Sequence, residues 1–176
     1  GFHAMTGTAP AWRWFVPGRL EVLGKHTDYA GGHVLAAAVP RGFAVVAGPR
    51  ADRRVRVVDV ANRVSVELDL DDDGPMPSGW ASYLQVTMRR LARNFPGASL
   101  GLDLTFSSDL PRAAGVSSSS AIVVGAATAF VRRGELTARD EWRAAIRDPE
   151  DQATYFGCIE SGHDFRTLAG NAGVGT

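Results

Sequence analysis

An α+β domain, a mixed sheet with packed helices, is the fold class that the sequence predicts. Three observations carry the prediction. Apolar residues alternate at period two in the first half, most cleanly in RVRVVDVANRVSVELDL (54–70). From Trp80 the period lengthens: Trp80, Tyr83, Leu84, Thr87, Met88 and Leu91 recur at i, i+3, i+4, i+7, i+8 and i+11, one stripe of an amphipathic helix. The strand and helix patterns do not follow each other in strict alternation, as a doubly wound parallel sheet would require.

The elements follow in order. WRWFV (12–16) and RLEVLG (19–24) predict two short strands interrupted by a Pro17-Gly18 turn signal. Beyond Gly31-Gly32, VLAAAV (34–39) and GFAVVAG (42–48) predict buried segments with a break at Pro40-Arg41-Gly42. The alternating run at 54–70 folds back at Ala61-Asn62-Arg63 as an antiparallel hairpin with one wet face. DDDGPMPSG (71–79) reads as a solvated loop, and Ser78 is available to cap the helix that starts near Trp80. SLGLDLTFSS (99–108) is a strand, SDLPRAAGV (108–116) a loop, and SSSSAIVVGAATAFV (117–131) a helix whose start is studded with hydroxyls. TARDEWRAAIRD (137–148) and DPEDQATYFGCIESG (148–162) predict two more helices, whereas HDFRTLAGNAGVGT (163–176) has no clear period.

Composition bounds the function. The chain has 176 residues, 45% hydrophobic and 22% charged, enough for one well-filled core. Nineteen basic residues balance nineteen acidic ones, so no global field recruits nucleic acid or an anionic membrane. Cys158 is the single cysteine, which excludes an internal disulfide and a cysteine-rich metal site; within an apolar helix it reads as an inert buried thiol. No apolar run approaches the ~18–20 residues that span a bilayer. GFHAMTGTAP (1–10) lacks the regions of a signal peptide and reads as an appended leader, so a cytoplasmic protein is expected.

Two constellations carry chemistry. Arg19, Lys25, His26 and Asp28 crowd into PGRLEVLGKHTDYAGGHVL (17–35) just ahead of a glycine pair. They form either a solvated loop between strands or the grip on a small polar ligand. The second is LPRAAGVSSSS (110–120), standing between a strand and a small-residue helix. A helix start leaves backbone N–H groups unpaired and carries about half a positive charge, which suits a polyphosphate. Gly115 lets the backbone approach closely, and the serines offer donors or a Mg²⁺ ligand. The alternative is a serine-rich cap on an ordinary core helix. The loop is neither a Walker loop nor a G-x-G-x-x-G fingerprint.

Together the two stretches resemble the first and second signatures of the GHMP small-molecule kinases, in the galactokinase branch. The first has the form P-G-R-x-x-x-x-G-E-H-T-D-Y-x-G-G, matched here at Pro17, Gly18, Arg19, Gly24, His26, Thr27, Asp28, Tyr29, Gly31 and Gly32. The second, Leu-Pro-x-x-x-Gly-x-Ser-Ser-Ser, is looser and stands about ninety residues later. The resemblance implies the N-terminal domain of that family, with a ribosomal protein S5 domain 2-like fold, over residues 11–160. Residues 161–176 then form a Gly-rich segment leading toward a C-terminal lobe that this sequence does not include.

By resemblance, the activity is transfer of the γ-phosphoryl of MgATP to a sugar hydroxyl, the anomeric one, with ATP and Mg²⁺ required. Gly115, Ser117, Ser118 and Ser119 become phosphate-loop residues, with Ser119 the contact to Mg²⁺. Trp80 and Tyr83 match aromatics that flank adenine, although both also lie on the apolar stripe and fit core packing equally well. His26 and Asp28 match residues that hydrogen-bond the sugar, and Arg19 matches a catalytic arginine near the transferred phosphate, where a permanent charge stabilises spreading negative charge. Lys25 stands where the galactokinase pattern has glutamate. A donor-only ammonium reverses the hydrogen-bond polarity of that position, so either the preferred sugar differs from plain galactose, with an anionic group for Lys25, or Lys25 points to solvent. The family's catalytic aspartate lies in a Gly-Gly-x-x-Asp-His type segment, expected beyond Thr176, so residues 1–176 alone are expected to be inactive. A non-catalytic relative, binding ATP and sugar as a sensor or scaffold, is the rival expectation. The partners implied are the small-molecule sugar, ATP and the remainder of the chain's own C-terminal lobe.

Overall fold

A computed structural model describes residues 1–24, 31–72, 74–111 and 115–170. Its elements are α1 (Phe2–Thr6), β1 (Trp12–Leu23), β2 (Leu35–Pro49), β3 (Arg54–Asp59), β4 (Val64–Asp69), α2 (Trp80–Asn94), β5 (Leu102–Ser108), α3 (Ser118–Arg133), a short 3-10 turn (Leu136–Ala138), α4 (Asp140–Ala145) and α5 (Pro149–Ser161). The α+β class holds: the strands form one mixed sheet, in the order β1-β2-β5-β3-β4.

The alternating sequences supply the sheet because each buries one edge of its pleat. β5 occupies the centre, antiparallel to β2 and parallel to β3, and its inward residues Leu102, Leu104 and Phe106 are buried. Val45 and Ala47 of β2 and Val55 and Val57 of β3 extend the same apolar face. Against it lie α2 and α3, which bring Met88, Leu91, Ala126, Ala127 and Phe130 into the core. The small residues of α3 allow close approach: a Cβ at Gly125 would lie only 3.3 Å from a Val45 methyl. On the opposite face of β5, Asp103 is paired with Arg50 at 3.1 Å and Arg56 at 2.9 Å. Tyr155 and Phe156 of α5 join Phe95 and Trp142 in an aromatic cluster behind α2.

Several local expectations change. β1 and β2 are each continuous through the Pro17-Gly18 and Pro40-Arg41-Gly42 signals, with register irregularities at Pro17/Arg19 and Glu21/Leu23 absorbing the mismatch. The first half of β2, expected to be buried, is exposed from Leu35 to Ala38. The physical reason is pairing: β2 meets β5 only from Phe43 onward, so residues 35–38 belong to a two-stranded ribbon that projects past the sheet. Ser78 does not cap α2; Gly79, at φ 65°, takes the N-cap position with no side-chain capping bond. Residues 2–6, placed by the sequence in a leader, form a helix whose Phe2 is buried against Gly48. The final segment 163–170, without a period of its own, closes on itself at the Phe165–Leu168 bridge and is tied to the core by buried Phe165 and Leu168 and by donors from Arg90 and Asn94 of α2.

Candidate functional site

Strand β1 and the loop before α3 are in direct contact. The Arg19 amide donates to the Val116 carbonyl at 3.1 Å, joining the strand just past Pro17-Gly18 to the residue before the serine run. Gly18 is buried at this contact, and a Cβ there would sit 2.6 Å from Leu110 Cδ2 and 3.0 Å from the Val116 oxygen. Only glycine leaves room for the loop. The Arg19 side chain is half exposed, and its guanidinium reaches Glu21 at 3.8 Å.

Loop and helix start meet through left-handed backbone. Gly115 has φ 66° and Ser117 has φ 56° with ψ 45°, a conformation uncommon outside glycine. Ser117 holds the N-cap position of α3, yet its side chain makes no capping bond. Ser117 therefore does not serve as an ordinary cap. Sixteen residues of α3 present the positive end of their summed dipole at Ser118 and Ser119, and Gly115 has open space where a side chain would stand. A start of this kind, with hydroxyls beside free backbone donors, fits a polyphosphate and the cation that accompanies it. Among the described residues, no group of three or more His, Cys, Asp or Glu side chains could hold a metal.

Beside the helix start lies a cavity of about 390 Å³. Trp80, from the first turn of α2, and Ser118 both line it, so the structure brings these two sequence-predicted residues together. Its apolar wall is Phe43, Phe106 and Ile122, and the Trp80 indole meets Phe106 edge-on with centroids 5.2 Å apart. Its polar rim comes from the β3–β4 turn. Asp59, buried, accepts from the Asn62 amide at 3.1 Å and from the Asn62 side chain at 2.6 Å. Tyr83, one turn along α2 from Trp80, is half-buried against the core and is not among the cavity's lining residues. Lys25, His26 and Asp28 lie outside the described residues.

Sequence reasoning missed Asp59 and Asn62 as site residues. Its signal was present, since the turn at Ala61-Asn62-Arg63 was legible, but nothing local says that this turn faces Trp80. Cys158 sits half-buried on α5, where burial pushes its thiol above the ordinary range, as suits an inert cysteine.

The class of protein follows from comparison. Residues 82–147 match the GHMP kinases N-terminal domain, and residues 1–49 match the galactokinase galactose-binding signature. The chain belongs to the GHMP kinases and carries the N-terminal part of their galactokinase-like branch. Among relatives, it is 39% identical to a galactokinase of Lactobacillus helveticus over 114 residues, which is 62% of this chain and 29% of that one. It is 37% identical to a galactokinase of Chloroflexus aggregans over 131 residues, 73% of this chain and 33% of that one. The chain thus spans about a third of the length of the curated relatives it matches. Its fold is similar to Lactococcus lactis galactokinase complexed with galactose, with TM-score 0.69 and 24% identity over 98% of this chain and 42% of that one. It is also similar to Methanococcus jannaschii mevalonate kinase, with TM-score 0.65 and 15% identity over 85% of this chain and 46% of that one. No helix of the described residues is long and apolar enough to cross a membrane.

Proposed function

We propose that the gene product is an ATP-dependent sugar kinase of the galactokinase type, acting in the cytoplasm on the anomeric hydroxyl of its sugar. The observation that supports this best is the cavity shared by Trp80 and Ser118 beside a helix start that no side chain caps. The cavity is large enough and apolar enough for a nucleobase, and the helix start stands where the phosphates of such a nucleotide would extend. In the reaction the sugar hydroxyl gives its proton to a general base as its oxygen attacks the γ-phosphorus, the bond from that phosphorus to the β–γ bridging oxygen breaks, and ADP leaves. Protein catalysis of this step is mostly positioning and charge stabilisation.

Each residue has a stated task. Gly115 and Ser117 shape the loop, Ser118 and Ser119 donate to the phosphates, and Trp80 covers the base. Tyr83 acts indirectly by packing the same turn of α2, in place of the direct base contact that the resemblance implied. Ser119 would hold Mg²⁺, which would supply positive charge against the phosphates. Arg19 faces the transferred group, and its exposed, weakly paired guanidinium is available for that role. His26 and Asp28 orient the sugar, and Lys25 selects it by donating where a glutamate would accept. The catalytic aspartate that the resemblance implies, in a Gly-Gly-x-x-Asp-His type segment, is not among residues 1–176, so these residues alone turn nothing over.

ADP release by the full gene product over neutral sugars, sugar acids and sugar phosphates, with Lys25→Glu in parallel, tests the reading. Preference for an anionic sugar that shifts toward galactose in the variant identifies Lys25 as the selector. Galactose as the best substrate of both removes Lys25 from the site. Silence across the panel with MgATP still bound favours a non-catalytic sensor and overturns the kinase.

A further inference from the structure

Asp109 makes a contact that neither signature explains. It follows the last β2–β5 pair, Phe43↔Ser108, and continues the ladder by one residue. The Gly42 amide donates to Asp109 Oδ1 at 2.8 Å, and the Asp109 amide donates back to the Gly42 carbonyl at 3.3 Å. Gly42 is buried between this bracket and β1, where it is paired with Pro17; a Cβ on it would lie 2.1 Å from the Val16 oxygen. Asp109 itself is exposed, so its contribution is the bracket rather than core packing.

These contacts close a ring. Pro17 pairs with Gly42, Gly42 is bracketed by Asp109, and the chain from Asp109 to Val116 returns to β1 through the Arg19–Val116 bond. One end of the loop is therefore held by Gly42 of β2, which pairs with Pro17 of β1, and the other by Arg19 of β1 itself. Within the loop, Leu110 donates its amide to Ser108 Oγ at 3.1 Å and fills the space beside Gly18. We propose that Asp109 is a positioning residue that holds the Ser117–Ser119 helix start in a set relation to Arg19, and so aligns the nucleotide with the group that stabilises its transfer. This rests on the kinase reading. A displacement of about 1 Å at such a site is enough to cost ~100-fold in rate.

The test uses the full gene product with Asp109→Ala and Asp109→Asn, the second keeping an oxygen that can accept from Gly42. The expected result is a kcat for ADP release reduced ~10–100-fold in Asp109→Ala, KM for sugar and ATP changed by less than about threefold, and near wild-type kinetics in Asp109→Asn. In ligand-free protein, amide exchange of the peptide covering residues 15–20 should rise about tenfold in Asp109→Ala and stay unchanged in Asp109→Asn. A wild-type kcat in Asp109→Ala, a loss confined to KM, or equal impairment of both variants would overturn the proposal. If the wild type phosphorylates no sugar, the kinase reading fails, and the exchange arm still decides the ring: unchanged exchange in Asp109→Ala refutes it. Should Asp109→Ala not fold, Asp109→Ser, too short to reach Gly42 in place, substitutes for it in both arms.

Discussion

The Arg19 amide donates to the Val116 carbonyl across 3.1 Å, so two stretches nearly a hundred residues apart in sequence share one backbone hydrogen bond. The contact is possible because Gly18 presents no side chain to the incoming loop. A hydrogen bond at this point ties the loop before α3 to the edge strand β1, and makes the geometry of the helix start a property of the tertiary structure.

Gly18→Ala tests that dependence. The new methyl would meet Leu110 at 2.6 Å and the Val116 oxygen at 3.0 Å, and backbone cannot yield as a flexible side chain can. The expected cost is about 1–3 kcal/mol of stability from overpacking, measured by urea unfolding, with MgATP affinity falling further than the stability loss accounts for. Unchanged MgATP affinity would show that the loop tolerates displacement.

Trp80 and Tyr83 should separate. Trp80 lines the cavity and Tyr83 does not, so Trp80→Ala should weaken MgATP binding by ~1–3 kcal/mol, the range of base–aromatic stacking. Tyr83→Ala should lower the melting temperature with little effect on the affinity of the folded protein. Isothermal titration of both variants checks this, and equal affinity losses would return Tyr83 to the base pocket.

Arg90 should prove a stability residue. Its side chain is fully buried, donating from Nε to Asn94 Oδ1 at 2.8 Å and from Nη2 to the carbonyls of His163 and Leu168. Asn94 Oδ1 also accepts from the Tyr155 hydroxyl, and the guanidinium lies 5.6 Å over the Tyr155 ring. Burial dominates the Tyr155 hydroxyl and raises its pKa, Arg90 opposing, so it stays neutral and donates. Arg90→Ala would take the donor from the His163 carbonyl, remove one of two donors from Asn94 Oδ1 and from the Leu168 carbonyl, and open a cavity beside Tyr155. The expected loss is about 2–5 kcal/mol in urea unfolding, with faster exchange in residues 163–170.

Acid should loosen the last segment. Arg166 forks onto Asp151, with Nη2 to Oδ1 at 2.6 Å, and that bond holds the Asp151 carboxyl below its ordinary value. A folded pKa below the unfolded one, near ~4, means that the contribution is present above the unfolded value and lost as pH falls through the folded one. Asp151→Asn should therefore lower the melting temperature at pH 6–7 and converge with wild type as pH falls below the ordinary carboxylate range. Parallel profiles over that range would remove the pair from the acid response.

Much of this was written locally. The hairpin turn at Ala61-Asn62-Arg63, the stripe of α2, the span of α5 and the helix after the serine run all follow from periodicity, because burial of one face repeats at the period of the element. The exposed half of β2 was not legible. LAAAV is as apolar as a core strand, and its exposure depends on where β5 stops pairing, at Ser108 against Phe43. The absent Ser78 cap is of the same kind: a serine in the right place is permission, and the chain entered α2 through left-handed Gly79 instead.

By itself the sequence determined the α+β class, the family of the chain, and the residue types of the two signatures, since these depend on local periodicity and on spacing along one chain. Tertiary structure alone decided that Gly18 makes room for Leu110 and Val116, that Asp59 and Asn62 rim the cavity of Trp80 and Ser118, and that Asp109 brackets Gly42. Those relations join residues dozens of positions apart. They are set by strand order and register, which bring side chains together through space and leave no periodic trace along the chain.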